Sequence, residues 1–318
     1  MLKEFYDFVI IGAGAAGLTA AQYSARSGMS TLLIDFNGTG GQALNIFTLE
    51  NFPGFFPAIQ GKTFIDNMKE QAVSFGAEIL KGKVLSLDKI KNSFVLETSE
   101  GKISAFSVLI ATGAEHKKLN CKGENEFFAR GVSYCATCDG PFFKGKKVVV
   151  VGGGDSALEE AFYLSSMAES VILIHRREEF RAQKAIQQKI KKCKNISIIM
   201  NSEIEEICGK EKVQNIVVKN NFGEKSVIEC DGVFIFVGMN PRCDLVDMLK
   251  KDEGGYLITN YRMETAVQGL FAAGDVRAKP FRQLITAASD GAIAAHQAQE
   301  YVAFQKNSQK SSNPTQEF

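Results

Sequence analysis

The sequence predicts an α/β protein in which one βαβ unit is inserted into another of the same plan. Three observations carry this. GAGAAG at residues 12–17 follows a short apolar run and opens an alanine-rich stretch. GGGDSA at 152–157 repeats the arrangement after four consecutive valines. The segment after residue 247 has one short apolar run and one helical stretch, too little for a sheet of its own. Glycines between a strand and a helix are the signature of a Rossmann-like turn.

The elements follow in order. A buried strand runs from Asp7 to Ile11, then the glycine turn, then a helix to about Arg26. The next strand, Thr31 to Ile34, ends in Asp35. A helix near Phe64–Phe75, alternating strands through 83–97 and a strand from Ala105 to Ala111 complete this part, which runs into Ala111-Thr112-Gly113. The second βαβ begins at Lys146, with a strand over 148–151, a helix through Ser165 and a strand Val171–Ile174 entering His175-Arg176-Arg177. Strands near 196–200, 213–219 and 226–230 read as a meander, followed by a buried strand from Val233 to Val237. The last part holds GLFAAGDV at 269–276 and a helix from Gln283 to about Phe304. We expect it to return to the first domain. That gives two three-layer ββα dinucleotide-binding domains, one formed by 1–117 and 246–318, the other by 118–245.

Composition narrows the function. The 318 residues are 45% hydrophobic and 23% charged, an ordinary globular profile long enough for two domains. A net charge of +1 offers no electrostatic case for nucleic acid or an anionic membrane as partner. The apolar run at 8–11 is too short for a signal segment or a membrane span, so the cytoplasm is the expected compartment. The polar end of the chain, from Gln305, reads as a frayed tail.

Each motif implies chemistry. Gly12 permits a tight turn, Gly14 lets a pyrophosphate approach the backbone, and Gly17 lets helix and strand close up. Ala15 and Ala16 start the helix, whose N-terminus favours phosphate. Asp35 stands where an acid binds ribose hydroxyls. Gly152, Gly154 and Ala157 fill the same three roles in the second turn. There the following strand ends in His175, Arg176 and Arg177, with Arg181 beyond. Arginine in that place favours a 2′-phosphate, hence NADPH over NADH. Glu159 and Glu160 read as surface acids at a helix start. Asp275, after the glycine of GLFAAGDV, can accept hydrogen bonds from a flavin's sugar-like chain.

Cys135-Ala-Thr-Cys138-Asp139 lies between the two glycine turns. A CxxC is either a redox pair or half of a zinc site. Zinc needs two more ligands; the histidines are His116, His175 and His296, and no second CxxC exists. A redox pair suits its neighbours better. A nicotinamide delivers hydride, a disulfide takes electrons and protons in steps, and a flavin connects the two. FAD at the first turn and NADPH at the second follow. Cys121, Cys193, Cys208, Cys230 and Cys243 show no pattern and read as inert thiols.

Taken together, GAGAAG, GGQ at 40–42, ENFPG at 50–54, ATGA at 111–114, CATCDG at 135–140, GGGDSALEEA at 152–161, HRREEFRA at 175–182, GLFAAGDV and RQLITAASDGAIAA at 282–295 resemble the low-molecular-weight, bacterial-type thioredoxin reductases, over roughly residues 5–305. The resemblance implies FAD contacts from the first glycine loop, Gly41, Gln42, Asn51, Ala111, Thr112, Gly113, Gly274, Asp275, Arg282 and Gln283. It implies NADPH contacts from Gly152, Gly154, Asp155, Ser156, His175, Arg176, Arg177 and Arg181. It assigns Cys138 as the flavin-side thiol, Cys135 as the interchange thiol and Asp139 as the acid–base residue. It implies a homodimer, with oxidised thioredoxin as the protein substrate.

Rivals remain in view. Relatives fed by ferredoxin, or using oxygen, have lost the NADPH motif that is intact here. The flavoprotein partner of alkyl hydroperoxide reductase carries an extra N-terminal module, expected to be absent from this chain. An NADPH-dependent flavin reductase serving ferredoxin or flavodoxin lacks the CxxC. A nucleotide-sensing scaffold would not need the cysteines. Because CATCDG precedes the first strand of the NADPH domain, the disulfide and the nicotinamide share a module while the flavin occupies the other. We therefore expect the modules to take turns, with hinges near 117 and 245.

Overall fold

The structure, a computed structural model, describes residues 3–46, 49 and 51–312. Glu50 of ENFPG and tail residues 313–318 lie outside the described residues. The chain divides into two units, Met1–Glu115 with Asn240–Phe318, and His116–Met239. The crossings fall at Glu115–His116 and Met239–Asn240, ahead of the 117 and 245 read from the sequence.

In chain order, the first unit opens with β1 (Phe5–Ile11), α1 (Ala15–Arg26), β2 (Thr31–Asp35), α2 (Gly61–Ser74) and β3 (Glu78–Lys81). Then come β4 (Val84–Ile90), β5 (Ser93–Thr98), β6 (Gly101–Ile110) and the short β7 (Ala114–His116). The second unit contains β8 (Val132–Ser133), α3 (Ala136–Asp139), β9 (Lys147–Gly152), α4 (Asp155–Ser165), β10 (Ser170–Ile174), α5 (Lys184–Lys192) and β11 (Ile196–Ile199). It continues with β12 (Ser202–Gly209), β13 (Val213–Asn220), β14 (Lys225–Glu229) and β15 (Gly232–Phe236), and β16 (Met239–Pro241) starts at its last residue and runs into the first unit. The chain then returns to the first unit with β17 (Leu270–Ala272) and α6 (Leu284–Ser312).

The sheet of the first unit runs β3-β2-β1-β6-β5-β4, with β17 also on β6. β6 is long enough for two partners along one edge. Its first half pairs antiparallel with β5, and its last three residues pair parallel with β17. β1 sorts its side chains by alternation, the period of a pleated strand. Phe8 and Ile10 enter a core with α1, α2 and α6, whereas Tyr6, Val9 and Ile11 enter one with Leu87 of β4 and Phe94 and Leu96 of β5. Alanines at 20, 21, 294, 295 and 298 bring α1 and α6 close.

The second unit repeats this plan. Its parallel sheet runs β11-β10-β9-β15-β8, and β12-β13-β14 form a separate antiparallel meander. Val148 and Val150 face the α4 and α5 core, and Val149 and Val151 face the meander core with Ile204, Ile207 and Ile216. The four-valine run is thus a strand buried on both faces.

Three expectations change. The stretch near 196–200 is not part of the meander; it is the parallel edge strand β11, paired with β10. The meander's first strand is β12, whose alternation is interrupted by a register shift between Ile204 and Glu206. The helix expected to end near Phe304 continues to Ser312. Gln305 is buried there, and Lys306 Nζ pairs with Asp7 at 2.6 Å, so polar residues anchor the last turns. Among the described residues no helix is long and apolar enough to cross a membrane.

Candidate active site

In the first unit, the predicted residues from distant segments gather at the carboxyl ends of parallel strands, where ligands of open α/β sheets bind. Gly12 has φ +108°, and a β-carbon there would overlap the Ala111 carbonyl oxygen. A β-carbon on Gly17 would overlap the Gly12 carbonyl oxygen. Gly14, by contrast, has open space where its β-carbon would be. It also precedes α1, whose first-turn amides have no side-chain cap. That combination makes a cradle that could hold a pyrophosphate.

Other loops complete the cradle. Gly40 donates its N–H to Ala13 O, and Gly41 lies against Gly14. Gln42 Nε2 donates to Ala114 O. Ala111 donates to Ile11 O, and Thr112 Oγ1 donates to Arg242 O at 2.6 Å. Gly113 continues that loop with φ +70°. Asn51 Nδ2 donates to Gln283 Oε1 at 3.2 Å, joining two predicted residues. Asp35 is already engaged with its own chain: Oδ2 accepts Ala13 N–H and Oδ1 accepts Asn37 N–H, both at 2.8 Å. It organises the turn and keeps lone pairs for a ribose.

Gly274 donates its N–H to Asp290 Oδ2 at 3.1 Å, beside Ala16 of the glycine turn. Among the described residues the buried Asp275 Oδ1 has no well-aligned hydrogen-bond donor; its nearest charged neighbour is Lys279 Nζ, an ion-pair partner at 3.3 Å. Burial pushes the Asp275 carboxyl up, against the pull of Lys279. Arg282 Nε is also buried, with no hydrogen-bond partner among the described residues, and its guanidinium lies 3.8 Å from the Tyr256 ring centroid. Buried polar atoms of this kind call for a partner, and a hydroxyl-rich dinucleotide at this cradle supplies donors and acceptors. Sequence reading missed Lys279 and Asp290. Lys279 is buried between Asp275 and Asp290, and Arg277 pairs with Asp290 at 3.2 Å. An acid among the alanines of α6 was the available signal.

In the second unit, a β-carbon on Gly152 would overlap the Phe236 carbonyl oxygen, and one on Gly153 the His175 ring. Gly154 opens onto free space. Asp155 Oδ1 accepts the Gln183 N–H at 2.7 Å, and Arg181 donates its N–H to Gly153 O. The arginine loop is thereby folded back over the turn. His175 is only 6% exposed; its Nε2 lies 3.1 Å from Glu179 O and its ring stacks on Phe180. Burial and nearby arginines hold its pKa down. The structure thus makes His175 a neutral support of the loop, with its ring turned to protein. Arg176, Arg177 and Arg181 are exposed and make no ion pair among the described residues. Ser156 follows at the start of α4, exposed. The set fits a dinucleotide carrying an additional phosphate.

The CATCD segment lies in this second unit, between β8 and β9. Cys135 and Cys138 are joined in a disulfide with a Cα–Cα distance of 5.3 Å. Asp139, mostly buried, stands beside it; Ser133 Oγ donates to its Oδ2 at 2.6 Å. Burial raises the Asp139 carboxyl, and the Ser133 hydrogen bond opposes that. Upstream, Tyr134 donates its hydroxyl to Glu124 Oε1 at 2.7 Å and stacks on His116. Glu124, 1% exposed, also accepts the Leu119 and Asn120 N–H groups. Of the other cysteines, burial pushes Cys121 up to about 11 and Cys230 up to about 12, and raises Cys208 and Cys243, which keeps these thiols protonated.

Residues 6–292 match the family described as pyridine nucleotide-disulphide oxidoreductase. A thioredoxin reductase of Treponema pallidum is 50% identical over 302 residues, covering 95% of this chain and 98% of the relative. One from Bacillus subtilis is 45% identical, covering 94% and 96%. The crystal structure of thioredoxin reductase from Streptococcus pyogenes superposes with a TM-score of 0.89 at 41% identity, covering 95% of this chain and 99% of the other. The chain belongs to the pyridine nucleotide-disulphide oxidoreductase family.

Proposed function

We propose that the chain is an NADPH-dependent thioredoxin reductase that carries FAD on its first unit and NADPH on its second. The observation that carries the reading is the Cys135–Cys138 disulfide with Asp139 beside it, in a chain with two dinucleotide turns of different chemistry. When bound, the flavin supplies the chemistry that couples hydride from the nicotinamide to two-electron reduction of this disulfide.

The residues divide the work. Gly14 and the amides opening α1 would hold the FAD pyrophosphate, and Asp275 and Arg282, each with a buried polar atom left over among the described residues, would hydrogen-bond the remainder of that cofactor. Gly154 and Ser156 receive the second pyrophosphate. Arg176, Arg177 and Arg181 surround the extra phosphate that separates NADPH from NADH.

Once the pair is reduced, the Cys135 thiolate attacks one sulfur of oxidised thioredoxin. A mixed disulfide forms and the first partner thiolate leaves. The Cys138 thiolate then attacks Cys135 Sγ, releasing the second partner thiolate and restoring the Cys135–Cys138 bond. Asp139, its carboxyl raised by burial, holds a proton at its carboxylate oxygen closer to working pH than an exposed aspartate would, and can give it to a departing thiolate. The reading includes a homodimer, a cytoplasmic setting and a turn of one unit against the other at Glu115–His116 and Met239–Asn240 between the half-reactions.

An anaerobic NADPH titration tests it. The purified protein should be yellow, bleach on NADPH addition and regain colour when oxidised thioredoxin is added. A folded, colourless protein without affinity for FAD would overturn the reading. A crosslink that locks the two units should stop turnover and spare FAD; undiminished turnover removes the rotation.

A further inference from the structure

We propose that Ser133 is a positioning residue that holds the Asp139 carboxyl group in place through the hydrogen bond from its hydroxyl. The inference rests on the reading above, in which Asp139 moves a proton during dithiol chemistry.

Ser133 closes β8, its backbone fixed in register against Phe234 of β15, and is 2% exposed. Its hydroxyl is therefore no solvent group. It accepts the Cys135 N–H at 3.0 Å. It stands 2.6 Å from Asp139 Oδ2 and 3.2 Å from Cys135 O. A hydroxyl has one proton to give. The shorter contact takes it, because an ionised acceptor makes the shorter and stronger bond. The Cys135 amide, donating into the same oxygen, polarises that O–H further. The result is a relay from the Cys135 N–H through Ser133 to Asp139. Asp139 N–H closes the loop on Cys135 O at 3.1 Å. One side chain thus ties the backbone of the interchange cysteine to the acid that follows the other cysteine.

Among the described residues no charged group is found to do this work instead. The elements packed most closely on α3 are the turn Gly140–Phe143, which has no titratable side chain, and α4, which carries Asp155, Glu159, Glu160 and Tyr163. The influences on Asp139 are burial, which raises its pKa, and the Ser133 bond, which lowers it. Removing the hydroxyl leaves burial unopposed. The pKa then rises, and any step that needs ionised Asp139 moves to higher pH.

The test is a carbon-13 carboxyl NMR titration of the oxidised, flavin-loaded protein, with Asp139→Asn identifying the resonance, beside the pH profile of thioredoxin reduction. In Ser133→Ala the Asp139 midpoint should rise by about one unit, a tenfold change in the ionised-to-protonated ratio, and the pH profile should move the same way. Ser133→Thr, which keeps the hydroxyl, should restore both. Should Ser133→Ala not fold, Ser133→Cys, a weak donor of similar size, carries the same expectation. An unmoved midpoint, or a moved midpoint with an unmoved profile, overturns the proposal while leaving Asp139 its role. An Asp139→Asn protein with unchanged turnover at every pH overturns the assignment of Asp139 and this proposal with it.

Discussion

Gly17 faces the carbonyl oxygen of Gly12 so closely that a β-carbon on Gly17 would overlap it. The opposing atom is backbone, in a turn that already holds Gly12 at φ +108°, so there is no flexible side chain to yield. Overpacking of this kind costs about 1–3 kcal/mol or more. Gly17→Ala should therefore lower the thermal midpoint and the flavin content of the purified protein. Gly14→Ala has free space for its methyl group. It should leave the apoprotein's midpoint nearly unchanged while weakening FAD, because the methyl enters the cradle. Equal effects of the two substitutions on the apoprotein would contradict this division.

Arg176 and Arg177 are exposed and without ion-pair partners among the described residues, so neither contributes to the fold through a salt bridge. A hydrogen bond to a charged group is worth about 1.5–3 kcal/mol. Arg176→Ala with Arg177→Ala should raise the KM for NADPH by about 10- to 100-fold, since each 1.4 kcal/mol is tenfold. The KM for NADH, which lacks the extra phosphate, should change by less than about threefold on the same grounds. Steady-state kinetics with both nucleotides checks it; a parallel loss would remove the 2′-phosphate from the role of these residues.

Local chemistry was legible in the sequence, and long-range pairing was not. Gly12, Gly14 and Gly17 are dictated by a turn of a few residues, so their spacing alone announces it. The four valines of β9 announce a strand buried on both faces. β11 and β12 were harder: Met200 and Asn201 separate them, and the register shift in β12 hides its period. α5 carried a signal that was overlooked, Ile186 and Ile190 on one face among lysines. His175 reads as a ligand because it stands beside arginines, yet its ring fills the space over Gly153. Ser133, Lys279 and Asp290 act through contacts with residues that only the fold brings near, or through burial that composition does not reveal.

The two cysteines are predicted to fail differently. Cys138→Ser removes the thiol that, in the proposed function, resolves the mixed disulfide and, by resemblance, faces the flavin. The variant should keep its flavin and be bleached by NADPH, since the nucleotide turns are untouched, yet lose thioredoxin reduction almost entirely. Cys135→Ser should lose turnover as well, but it should also fail to trap thioredoxin as a mixed disulfide. Cys138→Ser retains the interchange thiol and should trap it. Non-reducing electrophoresis with oxidised thioredoxin distinguishes the two, and trapping by Cys135→Ser instead would reverse the assignment.

Glu160 supplies a pH-dependent test of the second unit's energetics. It lies on α4 with Oε2 buried and, among the described residues, without a hydrogen bond, and burial, aided by the negative charge of Glu159, raises its pKa to about 7. An unfolded glutamate titrates near 4.3. The folded state therefore binds this proton more tightly than the unfolded one, so stability falls as pH rises between those values and the loss is complete above the folded pKa. At 1.36 kcal/mol per unit the charge costs about 4 kcal/mol at pH 8. Glu160→Gln removes the charge. Its thermal midpoint should match the wild type near pH 4.5, rise above it progressively toward pH 7, and stay several degrees higher at pH 8, as about 4 kcal/mol implies for a domain of this size. Other groups titrate in both proteins and cancel in the difference. A difference that is constant across pH 4.5–8 would show that Glu160 is not desolvated in the folded chain.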